Sequence, residues 1–367
     1  MYIQAGSSDQ DAKIKDFFEH IRIEGDIQYH VLRPAGFFAH AAQNFKEQES
    51  IILKDNEANI HGCLSLNIRE ADINGWQRVA WATDLRLSSD RKAVLYWFDN
   101  FLEEIKKIRK EKNLDHIFSF INKTNLIAFN TFIRPRSLRN NHPRFHLLTN
   151  FYRINVHSKI PFISKPLSSL RIRSLDDNNI EALSRYLQRK AKLNIMSYRY
   201  SVELLQERLA NWQNFNKENF LIAYDAKGNI VGCVAPWNAK QTQRYQIEKY
   251  SDFYENMRQL SRITASAGIT KNLPIPGMAS DFYFLTHLRA DNSYIFHRLL
   301  HECLEFCNDY QHLVYSSFEG DRIFKPPKDI VYTRSKFGLY LVLGPGEDLP
   351  FTHLSTETIP DFEIAFL

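Results

Sequence analysis

The sequence predicts two successive mixed α/β units built as an internal duplication. Three observations predict it. The chain has 367 residues, which at about 100–200 residues per domain gives room for two units, each able to bury a core. A β-hairpin segment occurs twice, 170 positions apart. The order of helices and strands around the first copy then recurs around the second.

The hairpin repeat reads IILKDNEANIHGCL at 51–64 and LIAYDAKGNIVGCV at 221–234. Ile52, Asp55, Asn59, Ile60, Gly62 and Cys63 meet Ile222, Asp225, Asn229, Ile230, Gly232 and Cys233 without a gap. Each copy is a β-branched apolar run, a polar turn and a second apolar run, which is a hairpin pattern. Gly62 and Gly232 fall at the same point of the second strand, where glycine marks a bulge or a close approach of another backbone.

The elements follow in order. Helical patterns cover 11–21 and 37–45 before the first hairpin. A strand at 78–87 leads into a long amphipathic helix at 91–112, with Val94, Leu95, Phe98, Phe101, Leu102, Ile105 and Ile108 at helical spacing. A strand at 114–121, a short helix at 124–132 and a strand at 144–156 complete the first unit. The second unit begins with helices at 176–190 and 201–212, both with acceptable N-cap residues. After its hairpin come a strand at 281–288, a helix at 292–307 and strands at 313–318 and 338–344. An extra segment, 239–279, carries a helical stretch at 248–263 and a loop at 273–277. The expected division is 1–158, a Pro- and Ser-rich linker at 159–169, and 170–367.

Composition narrows the class. Hydrophobic residues make up 44% and charged residues 24%, with 27 Phe and 17 Tyr against only 13 Gly and 13 Pro, so long disordered tracts are not expected. No apolar run approaches the ~18 residues of a membrane-spanning helix. Residues 1–10 are polar, which argues against a secretory signal. Cys63, Cys233, Cys303 and Cys307 are too few for a disulfide framework, so a reducing cytoplasm is expected. The net charge of +5 is unevenly spread. Residues 116–175 contain no Asp or Glu but hold Lys123, Arg134, Arg136, Arg139, Arg144, Arg153, Lys159, Lys165, Arg171 and Arg173. Such a stretch attracts phosphate, on a cofactor, a nucleic acid or a membrane.

Other chemistries lack a pattern. No phosphate-loop, serine-hydrolase or zinc-protease motif occurs. His297/His301 and Cys303/Cys307 are i, i+4 pairs on one helix, but they differ in phase, so packing is expected rather than a metal site. The basic, aromatic run 132–153 has the composition to track nucleic acid. The plainer reading is a solvated loop at 134–143 followed by an ordinary strand.

The order α-α-β-β-β-α-β-α-β resembles that of the GNAT acyl-CoA-dependent N-acyltransferases. VAWATDLRLSSDRK at 79–92 is similar to that family's strand-to-helix segment, and FINKTNLIAFNTF at 120–132 to its N-x-x-A helix start. The resemblance implies, in each unit, a mixed and mostly antiparallel sheet splayed between its fourth and fifth strands, with helices on its faces. It implies that the backbone of Leu85 and Leu87 takes up pantetheine, with Asn125 beside it. It also implies that the turn at Arg91 and the amides of Lys92, Ala93 and Val94 receive pyrophosphate. The turn departs from the family's glycine-rich pattern: Val94 and Tyr96 replace small residues, and 289–294 has no Gly either. The family's general-acid Tyr would fall on Phe132, which leaves Tyr332 as the nearest candidate. Asp72 or Asp84 could serve an amine as base, although bracing the strand–helix turn is the plainer role for Asp84.

The resemblance therefore implies transfer of an acetyl or other acyl group from acyl-CoA to a small-molecule or peptide amine, with no metal. The alternative is a catalytically degenerate GNAT-fold protein that binds CoA or an anionic partner such as nucleic acid. A third resemblance is to tandem aminoacyl transferases, which would make 239–279 a substrate lid.

Overall fold

The computed structural model describes residues 1–133, 142–160, 170–350 and 359–366. The first half runs β1 (Tyr2–Ala5), α1 (Asp11–His20), β2 (Ile27–Leu32), α2 (Ala39–Asn44), β3 (Glu47–Lys54), β4 (Ile60–Asp72), β5 (Trp76–Leu87), α3 (Arg91–Glu111), β6 (His116–Asn122), α4 (Leu126–Phe132) and β7 (Arg144–Lys159). The second runs β8 (Arg171–Arg173), α5 (Ile180–Ala191), α6 (Val202–Asn211), β9 (Leu221–Tyr224), β10 (Ile230–Asn238), β11 (Arg244–Tyr250), α7 (Asp252–Ser266), β12 (Ala279–Ser280), β13 (Phe282–Ala290), α8 (Ser293–Cys303), β14 (His312–Phe318) and β15 (Ile330–Leu343).

The repeated hairpins are β3–β4 and β9–β10, and their turns are built alike. The Asp55 carboxylate accepts from Glu57 N, Asn59 N and Asn59 Nδ2, each at 2.9 Å. Asp225 accepts from Lys227 N, Asn229 N and Asn229 Nδ2 at 2.8–3.0 Å. Gly62 and Gly232 serve close approach. A Cβ at Gly62 would lie 3.3 Å from the Trp97 ring of α3, and one at Gly232 would lie 2.6 Å from Ile295 of α8. Each long helix thus settles onto its sheet over a glycine.

Twelve strands form one mixed sheet, ordered β1-β3-β4-β5-β6-β15-β7-β14-β13-β10-β9-β8. The two halves exchange their last strands. β15 of the second half lies beside β6 of the first, and β7 of the first lies beside β14 of the second. β7 and β15 pair antiparallel along their whole lengths at the centre. α3 covers one face of the first half through Trp97, Phe101 and Ile105. α8 covers the same face of the second half through Phe296 and Leu299, above Ile154, Val156 and Leu313. On the other face, one large core joins Trp81, Phe118 and Phe151 to α5, α6, Trp212 and Trp237.

Three expectations need correction. Residues 248–250 belong to strand β11, not to the helix, which is Asp252–Ser266. The last strand begins at Ile330 rather than 338. A second sheet, β12-β11-β2, was not anticipated; in it, β11 from the 239–279 insertion pairs with β2 of the first half. No helix among the described residues is long and apolar enough to cross a membrane.

Candidate active site

In each half the fourth and fifth strands part. The parallel β5–β6 ladder runs from Val79↔His116 to Ala82↔Ser119 and stops, although β5 continues to Leu87. The parallel β13–β14 ladder ends at Phe284↔Val314, although β13 continues to Ala290. Just past each parting the strand bulges. Asp84 and His287 have left-handed backbones (φ 57° and 53°), and the registers to β4 and β10 shift there. Cys63 and Cys233 stand at the shifts, and their thiols donate to the Asp84 and His287 carbonyls at 3.6 and 3.2 Å. Burial pushes both thiols up to about 12, so neither is a nucleophile. The sequence carries this second repeat as Thr83-Asp84-Leu85-Arg86 and Thr286-His287-Leu288-Arg289, offset by 203 rather than 170. The longer offset follows the 239–279 insertion and conceals the match.

The wedges differ in what fills them. In the second half the segment Ile359–Ala365 runs beside the parting. The Glu363 carboxylate accepts from His287 N at 2.9 Å and pairs with Arg208 at 3.2 Å, while Asp361 pairs with Arg289 at 2.5 Å. In the first half the wedge opens into a cavity of about 200 Å³ between the halves. Ala82, Thr83, Asp84, Arg86 and Phe120 line its wedge end. Arg153, Asn155, His157, His312 and Thr333 form its polar floor, on the sheet face opposite α3 and α8. β2, β11 and α7 roof it with Tyr29, Tyr245, Tyr250 and Tyr254, helped by Leu273 and Pro274. The insertion is therefore part of the cavity wall.

Charge in the cavity is partly matched. Arg33 pairs with Asp84 at 2.7 Å and donates to Gln243. Arg86 lies over the Phe18 ring and donates to the Leu85 carbonyl at 2.9 Å. His157 contacts Thr333 Oγ1 at 3.0 Å, and burial pushes its pKa down to about 4. Burial also drives His312 well below the ordinary histidine value, as do the nearby His157 and Arg153 charges.

The residues singled out in the sequence separate into three places. Leu85 and Leu87 lie on β5 beyond the parting, with their side chains against the α3 core. At the start of α3, Lys92 N donates to the Asp90 carboxylate at 2.9 Å and Val94 N to Asp90 O at 3.0 Å. Arg91 is exposed and Ala93 buried. Asn125 caps α4, accepting from Ala128 N at 3.0 Å. Asp84 lines the cavity, whereas Tyr332 packs beside Tyr315 in the core under α8 and does not line it. Asp72 sits at the far end of β4, where it caps the turn to Gly75.

The basic stretch is partly internal. Arg144 donates to Glu347 O, Lys159 pairs with Glu305, and Arg153 faces the cavity. Arg134, Arg136, Arg139 and Lys165 lie outside the described residues. His301 pairs with Asp329 at 2.9 Å, while His297 contacts Lys325 O at 3.2 Å. Cys303 and Cys307 are buried.

Two splayed α/β units that share one sheet and exchange strands define the tandem GNAT-like fold. Among solved structures, Saccharomyces cerevisiae N-myristoyltransferase with bound myristoyl-CoA matches 98% of this chain and 89% of its own, at 8% identity and a TM-score of 0.54. The same enzyme with myristoyl-CoA and inhibitors matches 94% of this chain and 81% of its own, at 8% identity and 0.53. A GCN5-related N-acetyltransferase from Anabaena variabilis matches 92% of this chain and 72% of its own, at 9% identity and 0.46. No protein-family model matches the chain, and no curated protein matches it by sequence.

Proposed function

We propose that the chain is an acyl-CoA-dependent N-acyltransferase whose first half holds the thioester and whose central cavity receives the amine. One observation carries this reading. The first wedge opens into a cavity, whereas its counterpart is occupied by Ile359–Ala365. The unpaired edge of β5 beyond Ala82 offers the amide-bearing pantetheine arm a place to add as a strand. Leu85 and Leu87 are the proposed backbone partners, and Asn125 stands at the neighbouring helix start. Arg86 already occupies the Leu85 carbonyl and would have to give way to a pantetheine amide.

The bulge supplies chemistry. In the second half the His287 amide points into its wedge, where it meets a carboxylate. By the same backbone geometry, the Asp84 amide points into the first wedge and can receive the oxyanion that forms when an amine attacks the thioester carbonyl. Holding the amine and thioester at attack distance supplies much of the remaining rate. The C–N bond forms, the C–S bond breaks, and the departing CoA thiolate takes the proton that the amine nitrogen gives up, leaving an amide and free CoA. Asp84, paired with Arg33, serves this reading as the group that sets the bulge.

The start of α3 favours a second reading. Asp90 places a carboxylate where pyrophosphate would sit, as expected of a protein that keeps the wedge but has lost CoA catalysis. Calorimetry with acetyl-CoA, myristoyl-CoA and CoA separates the readings. The acyltransferase predicts binding of one equivalent, abolished by Ala82→Trp at the parting, with acyl transfer to amines detected by mass spectrometry. Absence of binding at millimolar ligand would rule it out, and binding without transfer to any amine would favour the second reading.

A further inference from the structure

The cavity floor holds a charge that the fold leaves unmatched. Three other arginines at the centre each have a carboxylate: Arg33 has Asp84 at 2.7 Å, Arg208 has Glu363 at 3.2 Å and Arg289 has Asp361 at 2.5 Å. Arg86, at the wedge end, instead donates to the Leu85 carbonyl at 2.9 Å and lies over the Phe18 ring. Arg153 has no carboxylate among the described residues. Its neighbours are Tyr29 and Tyr245, neutral side chains that hydrogen-bond the guanidinium and whose ring centroids lie 5.7 and 5.5 Å from it, and its Nε is buried without a hydrogen-bond partner. An enclosed cation without a counter-charge is costly, even over aromatic faces. Beside it, Asn155 Oδ1 and His312 Nδ1 are also buried without partners.

Three of the floor groups lie on alternate residues of β7, and His312 lies on the neighbouring β14. Arg153, Asn155 and His157 line the cavity while Ile154 and Val156 pack under α8. The polar face of an antiparallel sheet ordinarily meets water. Here β2, β11 and α7 roof that face, so it meets only what enters the cavity.

Resting on the acyltransferase reading, we infer that the acceptor is an amino acid: its amine faces the β5 wedge at Thr83–Asp84, and its carboxylate pairs with Arg153. A carboxylate suits a planar guanidinium that can donate two parallel hydrogen bonds. A single carboxylate is the match on the floor, because His157 and His312 beside Arg153 are held neutral, Arg33 is already paired with Asp84, and Arg86 lies at the wedge end against the Leu85 carbonyl. The volume fits as well. At about 200 Å³ the cavity is below the roughly 300–1,000 Å³ of clefts that hold drug-sized ligands. The peptide N-terminus, the other amine class considered, brings no carboxylate to this position.

The test compares each of the twenty amino acids with its own carboxamide, by thermal shift and then calorimetry. It uses the full chain, with and without CoA. At least one amino acid should bind at least ~10-fold more tightly than its amide, as expected for a charge-assisted pair. Arg153→Gln should reduce that preference to within about twofold, and Arg153→Lys, which keeps the charge but not the fork, should restore part of it. The inference is overturned if no acid is preferred over its amide in the wild-type protein, or if a preference survives Arg153→Gln. The wild-type comparison stands even where a variant fails to fold. CoA binding without any acid preference removes this inference alone. Acid preference without CoA binding keeps the Arg153 site and removes the acyltransferase reading.

Discussion

At the scale of single residues, the cavity is governed by charges taken out of water. Arg33 is almost fully buried and depends on Asp84. Removing one partner of such a pair leaves the other uncompensated, which costs about 3–5 kcal/mol. Asp84→Asn should therefore lower stability by ~3 kcal/mol, measured by urea unfolding. Asn tolerates the left-handed backbone at this position (φ 57°), so the loss reports the charge rather than strain. Adding Arg33→Gln to Asp84→Asn should recover part of the loss, and a purely additive double variant would show that the pair is not coupled. His157 gives a pH dependence with a defined sign. Its folded pKa of about 4 lies below its ordinary 6.5 because burial opposes the charge. Above pH 6.5 both states are neutral and the fold keeps its full stability. Below that, the unfolded chain takes up a proton that the folded chain refuses, so stability falls as pH falls toward 4. The His157 share is about 2 kcal/mol by pH 5. Urea midpoints at pH 7 and pH 5 should show this loss, and His157→Gln should remove its share.

At the scale of elements, the repeat is the legible part and its use is the hidden part. The hairpins, the two long helices and the glycines beneath them follow from hydrophobic period and turn chemistry. A Cβ at Gly232 would meet Ile295 at 2.6 Å, Leu299 at 3.0 Å and the Arg289 carbonyl at 3.3 Å. Gly232→Ala should thus cost about 1–3 kcal/mol by overpacking, read as a lowered Tm, with α8 displaced from the sheet. Gly62→Ala meets chiefly the flexible tip of Leu87 and should cost less. β2 and β11 were not legible because their polar and aromatic residues show no apolar run; they form only by pairing with each other across about 210 residues of chain. The same limit concealed the site. Arg-Ile-Asn-Val-His at 153–157 reads as a strand with a solvated face, and nothing local reveals that β2, β11 and α7 roof that face. The segment that closes the second wedge was equally opaque: Asp361 and Glu363 look like part of an acidic tail until Arg289 and Arg208 are placed opposite them.

At the scale of the whole molecule, the strand exchange makes the two halves one cooperative body. Neither half owns a complete sheet. Without β15, the edge of β6 from Phe118 to Asn122 loses its partner, and without β7 the edge of β14 does the same. β7 and β15 pair over 14 residues of β15 and would both be exposed edges in separated halves, a state that invites aggregation. The core agrees: Phe151 of β7 stacks against Phe337 of β15 at 5.4 Å and touches Phe318 of β14 at 5.6 Å, while Phe120 of β6 meets Phe362 at 4.7 Å. Residues 1–164 and 165–367, expressed separately, should be insoluble or unfolded by circular dichroism. Expressed together, they should copurify as a 1:1 complex that unfolds in one transition, because the central pairing needs both chains but not the covalent link between them. A soluble, cooperatively folded 1–164 on its own would show that the exchanged strand is dispensable. The cavity would then be a cleft between two independent units, and the asymmetry between an open first wedge and an occupied second one would need another origin.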